Sequence, residues 1–197
     1  MKTVYKSFLL VLTLVINTCL LSNQSIKTED LKGYALTLSL PVNVTLPKCK
    51  RIHLNASIPK EFSPVNATLD APMQEFIPSN EKVEKWSQII TTRAFLDQRV
   101  AAETMISGIK QGISSQVNQL KVIEEKIKNY GIYTEGTLII MYSYNSRTEV
   151  MAARYCSGPY DCSGVQYTIL VSLKMTESMA LNKVKTFLDK NVSIITF

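Results

Sequence analysis

The sequence predicts an α+β fold: a single mostly antiparallel sheet packed by one or two helices. Three observations carry this. Apolar residues alternate with polar ones in several short runs, which is the period of a half-buried strand. Those runs come in succession, joined by turn residues, as antiparallel neighbours do. Helical spacing shows in only two places, near residues 97–117 and 176–190, so helices are segregated and do not alternate with strands.

The chain does not begin with that domain. Met1 to Lys6 carries Lys2 and Lys6 and no acid, Phe8 to Ile16 reads FLLVLTLVI, and a small, polar stretch follows. That order is the pattern of a secretory signal peptide, here residues 1–22 with cleavage after Ser22. The apolar run is shorter than the ~20 residues a membrane span needs. Cys19, in INTC, offers a second reading as a lipid-attachment site, although Thr18 is a poor residue at the position before it. No later apolar stretch reaches membrane length, so the mature chain is not expected to span a bilayer. Loss of Lys2 and Lys6 lowers the net charge from +6 to +4. The remaining cations are scattered, whereas a nucleic-acid binder concentrates them in a stripe with interleaved aromatics. Nucleic acid is therefore not an expected partner.

Residues 23–33 read as a polar linker and residues 34–197 as one α+β domain. Tyr34, Leu36, Leu38, Leu40, Val42, Val44 and Leu46 alternate as one buried strand face, with Pro41 bending or splitting the strand. VNVTLP, LNASIP and VNATLDAP then repeat the alternation, each stopped by proline, which predicts three short strands. Asn43, Asn55 and Asn66 in these runs, with Asn23 and Asn191 elsewhere, head N-x-S/T triplets that an alternating polar face also generates. Phe76-Ile77-Pro78 ends another strand, and Trp86 to Leu96 is β-branched and aromatic enough to form the next. Asp97 is placed to cap a helix whose stripe is Val100, Met105, Ile106, Ile109 and Ile113. Beyond it, KVIEEKI fits a strand paired with GTLIIMYSY, although its spacing also continues the helix. TLIIMYSY, TEVMAARYC and GVQYTILVSLK follow as strands. TESMALNKVKTFLDKN closes as a helix capped by Thr176 or Ser178, with Met179, Val184, Phe187 and Leu188 inward.

The F-x-P of Phe76 and Pro78, the downstream Trp86, and Ile89, Ile90 and Thr91 ahead of an Ala-containing helix resemble a pattern in small secreted proteins of Gram-negative bacteria that have no assigned activity. The likeness spans roughly Leu46 to Lys174. It implies a sheet-plus-helix sandwich of the Mog1/PsbP type and brings no catalytic residues with it.

The residues offer little for catalysis. His53 is the only histidine, and a Ser-His-Asp or Cys-His mechanism would have to use it. In RIHLNAS, Ile52, Leu54 and Ala56 form the inward set, so His53 is expected on the solvated side of its strand. No C-x-x-C, D-x-D, G-x-S-x-G or phosphate-binding glycine loop occurs, so no metal and no cofactor is expected. Glu124 and Glu125 should point apart. Trp86 reads as a buried anchor, with a ligand platform as the minor alternative.

Cys156 and Cys162 frame CSGPYDC. A five-residue loop from Ser157 to Asp161 would set them directly opposite each other, on the same sheet face and close to bridging distance. In an exported protein that predicts a disulfide. Cys49, beside Lys48, Lys50 and Arg51, is then the remaining reactive thiol, which could link two chains.

Taken together, the sequence points to an exported, non-catalytic module, periplasmic or secreted, that binds an envelope or extracellular partner or supports an envelope structure. A secreted hydrolase using dispersed carboxylates or Cys49 is the alternative, and a host-facing virulence factor a third reading. N-terminal sequencing of the exported protein should begin at Asn23. A chain that keeps Lys2, or one acylated at Cys19, would contradict the cleavage site.

Overall fold

A computed structural model describes residues 51–67 and 73–196. The expected signal segment, the strand at Tyr34–Leu46, Cys19 and Cys49 lie outside the described residues. Nine strands and two helices follow in order. They are β1 (Ile52–Ala56), β2 (Phe62–Ala67), β3 (Met73–Pro78), β4 (Gln88–Phe95), α1 (Ala102–Ser114), β5 (Gln119–Asn129), β6 (Thr134–Tyr144), β7 (Arg147–Ser157), β8 (Cys162–Leu170), α2 (Glu177–Asn191) and β9 (Val192–Thr196). β2 to β8 build one antiparallel seven-stranded sheet in the order β2-β3-β4-β8-β7-β6-β5, and β1 pairs with β9 in a second, two-stranded sheet. The α+β class expected from the alternating runs is the class observed, and residues 119–129 are strand, not helix.

The large sheet is covered on both sides. β1, β9 and α2 bury one face, where Leu54, Ile90, Ala152, Val165, Ile169, Val184 and Leu188 meet. α1 buries part of the other, where Ile106, Ile109, Leu138, Ile140, Met151 and Tyr155 meet. Alternation along β7 shows how one strand serves both cores: Val150, Ala152 and Cys156 face α2, while Met151, Ala153 and Tyr155 face α1. Two glycines allow close approach. A Cβ at Gly136 would lie 2.8 Å from Ile106 Cγ1, so the missing side chain is what lets α1 settle on β6. At Gly164 a Cβ would lie 2.1 Å from Tyr155 Cε1, so the buried Tyr155 ring occupies the space a side chain there would need. Asn145 and Ser146, with φ of 47° and 64°, form the two-residue turn between β6 and β7. Left-handed backbone at both central positions matches the strand twist.

Four local expectations change. Asp97 does not cap α1: it sits in a turn with φ of 54°, and the helix starts five residues later at Ala102 with no side-chain cap. Its backbone N–H is already used by a carboxylate 64 residues further on. Met179 is exposed. The inward set of α2 is Ala180, Val184, Phe187 and Leu188, and Met179 lies one residue, about 100°, off that stripe. Leu173 lies beyond the end of β8 in a turn closed by Ser172 and Met175, and is exposed. Finally, α2 runs directly into β9, a strand the closing helix had not led us to expect.

Gly164→Ala should destabilise the fold by about 1–3 kcal/mol, since overpacking a full core forces neighbours to move. A urea midpoint unchanged from the parent would show that the Tyr155 ring has room to shift.

Candidate functional site

Strand β1 carries Arg51 just before its first residue and His53 within it, both on the side opposite the Ile52–Leu54–Ala56 set. The β7–β8 turn, Gly158 to Asp161, reaches across to that side. Arg51 donates from Nη1 to both oxygens of Asp161 at 2.7 and 2.9 Å, and His53 Nε2 lies 3.1 Å from Asp161 Oδ2. The backbone N–H of Asp97 donates to Asp161 Oδ1 at 2.8 Å, and Arg51 Nη2 reaches Asp97 Oδ1 at 2.9 Å. Asp161 is 1% exposed and His53 5%. His53 is therefore buried, not on a solvated face. The alternation was read correctly, but the covering turn lies 108 residues away in sequence. Burial alone would raise the Asp161 pKa. The hydrogen bonds from His53 and the Asp97 N–H, with the charge of the Arg51 guanidinium, outweigh it and hold the carboxyl below the usual range. Next to it, Ser163 Oγ accepts from the Leu54 N–H at 2.8 Å, so that hydroxyl is engaged with backbone.

The two cysteines do not bridge. β7 and β8 pair Cys156 with Ser163 and Ser157 with Cys162, one residue away from the expected register. The connection is four residues long, Gly158 to Asp161, closed by Gly158 N–H to Asp161 O at 2.9 Å. A single-residue slip sends side chains to opposite faces. Cys156 accordingly lies in the α2-side core and Cys162 in the α1-side core, and they are not bonded to each other. Burial, helped by the Glu135 charge, pushes the Cys156 thiol up to about 12, far from a reactive thiolate at neutral pH. Trp86 is half-buried, with the Arg147 guanidinium 6.0 Å from its ring centroid. That cation lies within the range of a cation–π contact, on the ring whose minor alternative role is a ligand platform.

The structure assembles a second group of residues that the sequence does not mark as a site. Glu124, Lys126 and Lys128 of β5, Glu135, Thr137 and Ile139 of β6, Arg154 of β7, and Lys185, Leu188 and Asp189 of α2 line a cleft of about 190 Å³. A bulge between Val122 and Glu124 sets the phase that turns the three β5 charges toward α2. Glu124 is bracketed by Lys126 at 2.9 Å and Lys185 at 3.7 Å, and the hydrogen bond from Lys126 holds its carboxyl below the usual range against the effect of burial. Glu125 points the other way and pairs with Lys110 of α1 at 2.7 Å, so the two neighbouring acids are separated as expected. Arg154 Nε lies 3.2 Å from Glu135 Oε1 but off line, an ionic contact without a hydrogen bond. Its Nη2 is 3.6 Å from Asp189. Lys128 has no acidic partner within 4.0 Å among the described residues, which leaves the cleft with a net positive rim. A signal was available: Arg154 interrupts the apolar set Val150, Ala152, Cys156 on a single strand face. No group of three His, Cys, Asp or Glu side chains able to hold a metal occurs among the described residues.

No family model and no curated protein matches the chain. Solved structures do match. The Ran-binding protein Mog1p of Saccharomyces cerevisiae is 8% identical over 71% of this chain and 89% of its own, with a TM-score of 0.49. Cyanobacterial PsbP of Synechocystis is 7% identical over 78% and 97%, with a TM-score of 0.48. LpqN of Mycobacterium tuberculosis, involved in cell envelope biogenesis, is 14% identical over 79% and 89%, with a TM-score of 0.45. The Mog1 and PsbP types named from the sequence are thus among the similar structures.

Asp161→Asn should destabilise the protein by about 3–5 kcal/mol, because it leaves Arg51 without its buried counter-charge. Asp161 has a folded pKa below that of an unfolded aspartate, so its contribution is complete above about pH 3.9 and is lost as pH falls through the folded value. Urea midpoints measured from pH 6 down to about pH 2 should therefore drop more steeply for the parent than for the variant. Parallel curves would rule out Asp161 as the acid-sensitive tie.

Proposed function

We propose that the chain is an exported, non-catalytic binding module of the cell envelope or extracellular space, and that the cleft between β5, β6, β7 and α2 receives its partner. The observation that carries this is the contrast between the two polar clusters. The only histidine is sealed against a carboxylate that already accepts four hydrogen bonds, so the one side chain suited to neutral acid–base work is committed to structure. The cleft is the reverse. Its cations come from three separate elements, and those of β5 and α2 sit at a solvent-facing rim, where charge steers an encounter and selects an anionic surface. Export follows from the N-terminal charge and apolar pattern. No helix among the described residues is long and apolar enough to cross a membrane.

A photo-crosslinking residue in place of Thr137, at the cleft wall, should give one dominant adduct in cells that export the chain. Lys185→Glu should abolish it, while the same reversal at exposed Lys183 should not. Equal adduct yields from Thr137 and from exposed Ser107 on α1 would mean that the cleft is not the contact surface.

A further inference from the structure

The seven-stranded sheet ends in β2 on one side and β5 on the other. β2 is a poor edge for pairing: it spans six residues, contains Pro64 and loses register between Pro64 and Asn66. β5 differs in length and in composition. It is eleven residues long, contains no proline, pairs with β6 and has no second neighbour among the described residues. After its bulge, Glu124 to Asn129 pair without interruption with Ile139 to Thr134. That unbroken run is as long as an ordinary strand, and its outward N–H and C=O groups form a ready template.

The two sides of this edge have different chemistry. Toward α2 it carries Lys126 and Lys128 against a single acid, Glu124. Toward α1 the one acid, Glu125, is neutralised by Lys110, and Ile127 stands 41% exposed. Val122 before the bulge is 43% exposed. In the turn that ends the strand, Tyr130 is 47% and Ile132 62% exposed, with the Tyr130 ring stacked on Tyr133 at 4.6 Å. Lysines and a bulge are also what a solvated edge uses to prevent pairing. A merely guarded edge, however, has no cause to present Val122 and Ile127 along its length and Tyr130 and Ile132 at its end. Large apolar and aromatic side chains at a surface are the groups that carry binding energy.

We infer that β5 receives a partner protein by strand addition, taking an extended segment whose side chains alternate acidic and apolar. The acidic set would face Lys126 and Lys128, the apolar set would lie beside Ile127, and the backbone would pair with Glu124–Asn129. This rests on the reading of the chain as a binding module and specifies how the partner engages it.

The test uses the full exported chain and synthetic peptides of about ten residues alternating Glu and Val. Calorimetric titration should detect binding, with amide NMR shifts concentrated in Glu124–Asn129. N-methylation of alternate peptide amides keeps the side chains but removes ladder donors, and should weaken binding at least about tenfold. Lys126→Glu with Lys128→Glu should exchange the preference for a Lys/Val peptide by a similar factor. Equal affinity of the N-methylated peptide would overturn strand addition, as would absence of binding at about 1 mM or a β5-dependent dimer in sedimentation. The Thr137 adduct is read separately, so loss of this inference leaves the cleft reading standing or falling on its own result.

Discussion

The carboxylate of Asp161 is the constraint on which the arrangement of the smaller sheet depends. A buried charge is costly unless its lone pairs are filled. Here they are filled by Arg51, His53 and the backbone of Asp97, groups drawn from the start of β1 and from the exit of β4. One turn of the large sheet is thereby tied to two segments far from it in sequence. The consequence runs further than the cluster. β1 is the only strand that pairs with β9 among the described residues, and β9 follows α2 without a break. The backbone N–H of Ser57 donates to Asn191 O at 2.8 Å, and Asn191 Nδ2 returns a bond to Ser57 O at 3.1 Å. Fixing β1 therefore fixes the end of α2, and α2 is one wall of the cleft.

Electrostatics and packing are joined at that wall. Arg154 stands on the face of β7 that otherwise feeds the apolar core, and its Nη1 reaches the Val192 carbonyl at 3.3 Å, where α2 becomes β9. The stem is covered while the head sits among Glu135 and Asp189. A guanidinium suits this place because it can serve a carbonyl and two carboxylates from one planar group. The cleft thus inherits its shape from the helix–strand junction and its charge from β5, β6, β7 and α2, which come together only in the folded chain.

Much of the architecture is legible because period-two alternation is a local property. Ile52, Leu54 and Ala56, or Val165, Tyr167 and Ile169, announce a buried face without knowledge of what covers it. What covers the other face is not local, and there the reading of His53 fails: its neighbours in sequence say outward, and a turn 108 residues later closes over it. The cysteines fail for a sharper reason. Whether the β7–β8 connection holds four residues or five changes the parity of the pairing, and parity decides the face. CSGPYDC contains turn residues enough for either. What selects four is Asp161, whose side chain is required at the buried cluster, a requirement set by Arg51 and His53. The cleft was half legible. The charges of EEKIKN and the break at Arg154 stand in the sequence, but α2 as their opposite wall does not.

The same economy of coverage explains where recognition can be built. A sheet with one face packed and α1 over part of the other has its ends and its edges left to offer. Here one edge is shortened and interrupted by Pro64, while the other is long and free of proline, carries cations on one side and leaves apolar side chains in water on the other. That edge presents charge, apolar surface and, among the described residues, unpaired backbone in a fixed order. That is a vocabulary for recognition, and it lies on the strand that also forms the rim of the charged cleft.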